Sequence, residues 1–116
     1  EKLSSLEARL DALELTVLRT LSSVAEGGAP GNESSILKII ATELAQDITE
    51  LGMEAYGPYM QPAFPDSVAP AWTGNTALPS GAGPAVASYL GARAQSIYGG
   101  SNEIQKNIIA KRILGL

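Results

Sequence analysis

Apolar residues recur along the first quarter of the chain at spacings of three and four: Leu3, Leu6, Leu10, Leu13, Val17, Leu21 and Val24. That is the period of one helical face, and it predicts a helix from about Ser5 to Glu26. Ser4 followed by Glu7 has the form of a capping box at its start. Leu15 and Leu18 add a second apolar strip, and a helix apolar on more than one side is buried on more than one side. A core-facing helix and a short coiled-coil seam both satisfy this pattern. Gly27-Gly28-Ala29-Pro30-Gly31-Asn32 ends it. A second helix is predicted from Glu33 to Tyr56. Leu37, Ile40, Leu44, Ile48 and Leu51 form one face, widened by Ile36 and Ile39, with Glu43, Asp47 and Glu50 as a solvated face. Glu33 complements the helix dipole in the first turn, and Gly57-Pro58 stops the helix. Two amphipathic helices joined by a short turn predict an antiparallel hairpin.

Beyond Tyr56 no period survives until Gly83. Six of the seven prolines lie between Pro58 and Pro84, together with Phe64, Trp72, Gly74, Gly81 and Gly83. The aromatic residues argue for an ordered crossing that packs Phe64 or Trp72, because a disordered linker is poorer in them. Pro84, after Gly83, suits a first helical position. Ala85 to about Ser96 then reads as a small-residue helix with Val86, Leu90 and Ala94 on one face. Ile97-Tyr98-Gly99-Gly100 breaks it. Ser101 has the character of an N-cap, with Glu103 in the first turn of a last helix from Asn102 to Leu114. Lys106, Lys111 and Arg112 lie toward its C-terminal end, where cations are favoured. No strand and no repeat is predicted.

Composition narrows the chemistry. The 116 residues contain neither cysteine nor histidine. No disulfide, no Cys/His metal site and no imidazole or thiol catalysis is available from them, and no metal site is expected. Eight basic against twelve acidic residues leave a net charge of −4, which disfavours nucleic acid and an anionic membrane surface. No apolar run is long enough to span a membrane, and the first residues lack a signal-peptide pattern. The expectation is a cytoplasmic protein. At this length an isolated domain buries only about two-thirds of its unfolded surface, which points toward a larger assembly.

The most unusual local feature is Tyr98-Gly99-Gly100-Ser101-Asn102-Glu103. Two glycines permit a sharp turn and close approach of a ligand, and a helix N-terminus follows with free N–H groups. A phosphate, a carbonyl oxygen or a flavin edge suits such a place, and so does a plain glycine stop followed by a serine start. Neither a dinucleotide fingerprint nor a P-loop is present, because no strand precedes the glycines and no Gly-Lys-Ser/Thr occurs.

The segment from Arg93 to Leu116, with Ile97-Tyr98-Gly99-Gly100-Ser101-Asn102-Glu103-Ile104-Gln105 at its heart, resembles the C-terminal end of the acyl-CoA dehydrogenases. It is similar to that family's Ile-Tyr-(Glu/Gly/Ala)-Gly-(Thr/Ser)-x-(Gln/Glu)-Ile signature. The two long helices before it fit the family, and Glu54-Ala55-Tyr56-Gly57-Pro58 sits where the family has a Gln-Ile-Phe-Gly-Gly-like turn. The resemblance covers most of the chain; the Pro-rich stretch at about 57–83 stands apart as an insertion. It implies an all-α antiparallel bundle of about four helices over residues 1–116.

The resemblance further implies an FAD-dependent dehydrogenation across Cα–Cβ of an acyl-CoA. A glutamate takes the α-proton and the flavin takes the β-hydride. Gly99 and Gly100 match positions beside the thioester. Ser101, Asn102 and Glu103 match positions contacting the flavin nucleotide. Glu54, Ala55, Tyr56, Gly57 and Pro58 match the turn that reaches a neighbouring subunit's FAD, in a homo- or hetero-tetramer with an electron-transfer flavoprotein as acceptor. Many members carry the catalytic glutamate directly after the signature tyrosine, where this chain has Gly99. A glycine accepts no proton, so no catalytic residue is assigned and the base is expected outside this chain. The family's N-terminal and middle domains and the first helix of its C-terminal bundle have no counterpart in these residues. The expectation is therefore a fragment that is inactive alone. Two other readings stay open: a non-catalytic helical assembly module, and an inactive partner subunit of a heteromeric dehydrogenase.

Overall fold

The computed structural model describes residues 1–28, 31, 33–60, 79 and 81–116. Four α-helices carry the fold: α1, Lys2–Ala25; α2, Glu33–Tyr56; α3, Ala82–Ala92; and α4, Asn102–Arg112. A 3₁₀ turn, Gly57–Met60, extends α2, and another, Arg93–Ser96, extends α3. No strand occurs among the described residues. The expected all-α architecture is observed. Ala29, Pro30 and Asn32 of the first turn, and Phe64, Trp72 and Gly74 with their expected ordered crossing, lie outside the described residues.

Helix α2 is the hub, with α1, α3 and α4 all packed on it. It and α1 each have 24 residues, about 36 Å of helix at 1.5 Å per residue. They run antiparallel. Lys2 Nζ donates to Glu54 Oε1 at 2.7 Å, and Arg9 Nη1 donates to Asp47 Oδ2 at 2.6 Å. Early residues of α1 thus meet late residues of α2.

Helix α1 is rotated from the expected setting. Leu6, Leu13, Thr16 and Thr20 are the half-buried positions on α1, with Lys2 and Arg9 on the same side. Leu3, Leu10 and Leu21 of the predicted stripe remain 60%, 47% and 59% exposed. Leu15 and Leu18 are exposed as well. One neighbouring helix covers one side of a helix, and the two ion pairs flank the side of α1 that faces α2. Glu1, not Ser4, precedes the first turn, and no side chain caps it. The Ser4–Glu7 capping box is therefore absent, because both residues lie inside the helix.

The acidic positions of α2 are solvent-accessible as expected, and two of them also form ion pairs. Asp47 pairs with Arg9 and Glu50 lies 3.6 Å from Arg93. Leu44 is 1% exposed at the centre of the hub, whereas Ile40 and Ile48 stay open to solvent.

Helix α3 starts earlier than expected. Its N-cap is Gly81, at φ 89°, and Pro84 is the third helical residue. Proline is tolerated there because the first-turn N–H groups have no helical partner in any case. Tyr56 Oη stands 2.6 Å from where a Cβ on Gly81 would be, so the end of α2 closes over the start of α3. The buried positions of α3 are Ala82, Gly83 and Ala92, while Leu90 is 60% exposed and Ala94 is exposed. Small residues let two helix backbones approach closely. The predicted Val86–Leu90–Ala94 face gives way to this small-residue face.

Candidate functional site

The turn between α3 and α4 is assembled from both ends. At its entrance, the Ile97 and Tyr98 N–H groups both donate to Ala94 O, at 3.0 and 3.1 Å. Gly99 and Gly100 then reverse the chain with φ of 67° and 93°. These are left-handed values that cost a side-chain-bearing residue about 1–2 kcal/mol. At the exit, Ser101 is the N-cap of α4, and its Oγ accepts from Ile104 N at 3.4 Å. The serine start read from the sequence is therefore present, and α4 ends at Arg112, two residues before the expected Leu114.

Ile97 and Tyr98 are 70% and 62% exposed, and a Cβ on Gly99 would meet nothing within 4 Å. The middle of the turn is thus open to a ligand. A Cβ on Gly100 would stand 2.6 Å from Gln105 Nε2, so this glycine is the tighter of the two. Glu103 is exposed. Its own main-chain N–H and the Ser101 side chain hold its carboxyl below the ordinary carboxylate value, and the cations of Lys106 and Lys38 add to this. An ionised carboxylate in a first helical turn accepts from hydroxyl or amino groups and repels phosphate. The chemistry offered is therefore open glycine backbone and one anionic acceptor, since the Glu103 and Ile104 N–H groups are already engaged by the Glu103 carboxyl and Ser101 Oγ.

Asn102 sits differently. It is 7% exposed, and its Oδ1 accepts from Lys38 Nζ at 3.2 Å. Thr42 Oγ1 lies 3.4 Å from the same oxygen. The side chain is turned inward to α2, so only its main chain faces the turn's outer side. Sequence reasoning gave no sign of this, because Lys38 and Thr42 lie about sixty residues earlier.

The second group of candidate residues lies elsewhere. Glu54 is engaged by Lys2, Tyr56 is half-buried against Gly81, Gly57 takes φ 56°, and Ala55 and Pro58 are exposed. They form the last turn of α2 and the start of the 3₁₀ turn after it. Asn102 is held near Thr42, twelve residues back, roughly 18 Å along the helix at 1.5 Å per residue. The structure does not bring Glu54–Pro58 and Gly99–Glu103 together within one chain. Among the described residues no cluster of metal-binding side chains occurs, and no helix is long and apolar enough to cross a membrane.

A family model described as the acyl-CoA dehydrogenase C-terminal domain matches residues 1–114. The chain belongs to that family. Among its relatives, the acyl-CoA dehydrogenase IpdE1 of Mycobacterium tuberculosis (strain ATCC 25618 / H37Rv) is 38% identical over 109 residues, covering 87% of this chain and 24% of that protein. The acyl-CoA dehydrogenase IpdE1 of Mycolicibacterium smegmatis (strain ATCC 700084 / mc(2)155) is 75% identical over 28 residues, 24% of this chain and 7% of that protein. The chain thus spans about a quarter of the M. tuberculosis relative's length. No solved structure matches it. Membership of the acyl-CoA dehydrogenases accounts for the four-helix architecture and for the turn-then-helix ending.

Proposed function

We propose that these residues form the C-terminal helical part of an FAD-dependent enzyme that dehydrogenates the Cα–Cβ bond of an acyl-CoA thioester. The observation that carries this reading is the open Gly99–Gly100 reversal leading directly into the Ser101-capped start of α4. The residues present fit one edge of the cofactor. Ser101, the Asn102 main chain and the ionised Glu103 suit the hydroxyl-bearing part of a flavin nucleotide. The flavin, when bound, supplies the hydride acceptor. Gly99 and Gly100 bring bare backbone along the thioester, where no side chain obstructs approach. Glu54–Pro58, some way along α2, serve the flavin of a neighbouring chain, so oligomerisation completes the site. A homo- or hetero-tetramer satisfies that requirement, with an electron-transfer flavoprotein as acceptor.

The proton-abstracting carboxylate belongs to another part of the protein. Gly99 offers no acceptor, and Glu50 and Glu54 are engaged with Arg93 and Lys2 on α2. Glu103 stands in a first helical turn that the carboxylate itself stabilises. The residues from 1 to 116 are therefore inactive alone. The test is direct: purify the full-length protein that contains them and, separately, the 116-residue chain, supply FAD and acyl-CoA thioesters, and follow reduction of an artificial electron acceptor. Turnover by the full-length protein alone is expected. Turnover by the 116-residue chain overturns the assignment of the base to another region. Absence of turnover and of flavin in the full-length protein, with an intact oligomer, favours the helical assembly module. The exposed apolar side of α1 is the observation behind that second reading.

A further inference from the structure

Helix α2 carries a polar residue at every fourth position through its centre: Lys38, Thr42, Gln46 and Glu50. Residues four apart lie on one helical face, and all four point at the α3–α4 side of the molecule. Lys38 and Thr42 reach Asn102. Gln46 Nε2 donates to Ala92 O and to Ser96 Oγ, both at 3.2 Å, which uses both of its amide hydrogens. Glu50 faces Arg93, whose Nη2 also donates to Gln46 O at 3.4 Å. The stripe therefore grips the chain just before residue 97 and just after residue 101, and leaves Ile97, Tyr98 and Gly99 exposed.

We propose that Lys38, Gln46 and Asn102 are positioning residues, which fix where the Ile97–Ser101 turn projects by anchoring its two ends to α2. Lys38 and Gln46 are eight residues apart, with Thr42 between them, so the two anchors are separated by roughly 12 Å along α2. Six residue steps between Ser96 and Asn102 can span about 20 Å when extended. The connecting chain therefore has slack, and the two positive-φ glycines turn that slack into an outward reversal. Its placement follows from the anchors rather than from packing of the turn itself, since Ile97 and Tyr98 are exposed. Lys38 is the firmer of the two donors to Asn102. The single hydroxyl hydrogen of Thr42 also has the Lys38 and Ile39 carbonyls within 3.0 Å. A bond from an ammonium to an amide oxygen is charge-assisted.

The kinetic part of the test rests on the dehydrogenase reading; the exchange part does not. Asn102→Leu keeps the size and burial of the side chain and removes the acceptor. Asn102→Asp keeps an acceptor facing Lys38. In the full-length protein, amide hydrogen exchange over residues 97–101 is expected to quicken about tenfold in Asn102→Leu, the factor equivalent to one net hydrogen bond. In Asn102→Asp it stays within about twofold of the parent. A residue needed only for packing gives the reverse order, and that order overturns the proposal. Exchange within α1 reports whether a variant has simply unfolded. In that event Lys38→Met, which removes the donor and leaves the buried side chain in place, decides the matter. Unchanged exchange at 97–101 in Lys38→Met, with α1 as in the parent, defeats the proposal. Gln46→Met is expected to loosen the entrance of the turn in the same way. Where the enzyme turns over, Asn102→Leu lowers kcat by a larger factor than it raises KM for the acyl-CoA. Asn102→Asp restores kcat.

Discussion

The two sides of α2 are built on different principles. Toward α1 the contact consists of half-buried leucines and threonines, flanked by the Lys2–Glu54 and Arg9–Asp47 ion pairs, whose side chains are roughly half exposed. Such pairs contribute about 0–1 kcal/mol each. Toward α3 and α4 the contact consists of small buried residues, Ala82, Gly83 and Ala92, and of hydrogen bonds across the chain to Asn102, Ala92 and Ser96. One side can slide; the other is keyed. The keyed side carries the Ile97–Ser101 turn, anchored at both ends. The sliding side leaves Leu3, Leu10, Leu15, Leu18 and Leu21 exposed, which is the side available for further packing.

Replacing the hub residue strikes both sides at once. Leu44→Ala is expected to lower unfolding free energy by about 2–5 kcal/mol, because its fully buried side chain leaves a cavity. Denaturant titration followed by helical circular dichroism measures it. The next effect separates the sides. Ala92→Leu overpacks the α2–α3 contact and costs about 1–3 kcal/mol, while Leu10→Ala on the open side stays within about 0.5 kcal/mol in the 116-residue chain. Equal losses in the two variants would break the comparison. Gly99→Ala and Gly100→Ala each meet the left-handed backbone cost of about 1–2 kcal/mol. Gly100→Ala exceeds Gly99→Ala, because the Gln105 amide must also move; thermal unfolding ranks the two. Arg9→Met is smaller still, about 0–1 kcal/mol, and the loss shrinks further in molar salt, since screening already weakens the pair.

The smallest expected effect is set by pH. The Glu103 carboxyl is held below its ordinary value by its main-chain N–H and Ser101. A depressed carboxylate stabilises the folded state above the unfolded value of 4.5 and ceases to do so as pH falls through the lower folded value. Acid titration followed by NMR is expected to show Glu103 protonating at lower pH than an ordinary glutamate. Glu103→Gln removes that acid-side dependence without altering stability at pH 7 to pH 8 in slope.

The long elements were readable because each has a local cause. α2 has the predicted bounds of Glu33 and Tyr56, and Ser101 starts α4 as its hydroxyl chemistry requires. What escaped is relational. The facing side of α1 depends on which part of its wide apolar surface meets α2, and periodicity alone cannot supply that. The small-residue face of α3 is decided by how closely α2 approaches. Glu50 is the solvated charge expected, and its pairing with Arg93 is the part that the sequence does not show. The polar stripe did leave a trace in the sequence, four polar residues at a spacing of four inside an apolar helix. Its meaning depends on Asn102, about sixty residues later.

One measurement tests the central claim, that the Ile97–Glu103 turn is the ligand-facing edge of an acyl-CoA dehydrogenase. It is amide hydrogen exchange on the full-length protein, with and without FAD and an acyl-CoA thioester. Ligand is expected to slow exchange at residues 97–103 and, in the oligomer, at 54–58, while α1 is unaffected. Ligand binding that leaves 97–103 exchanging at the unliganded rate would contradict it.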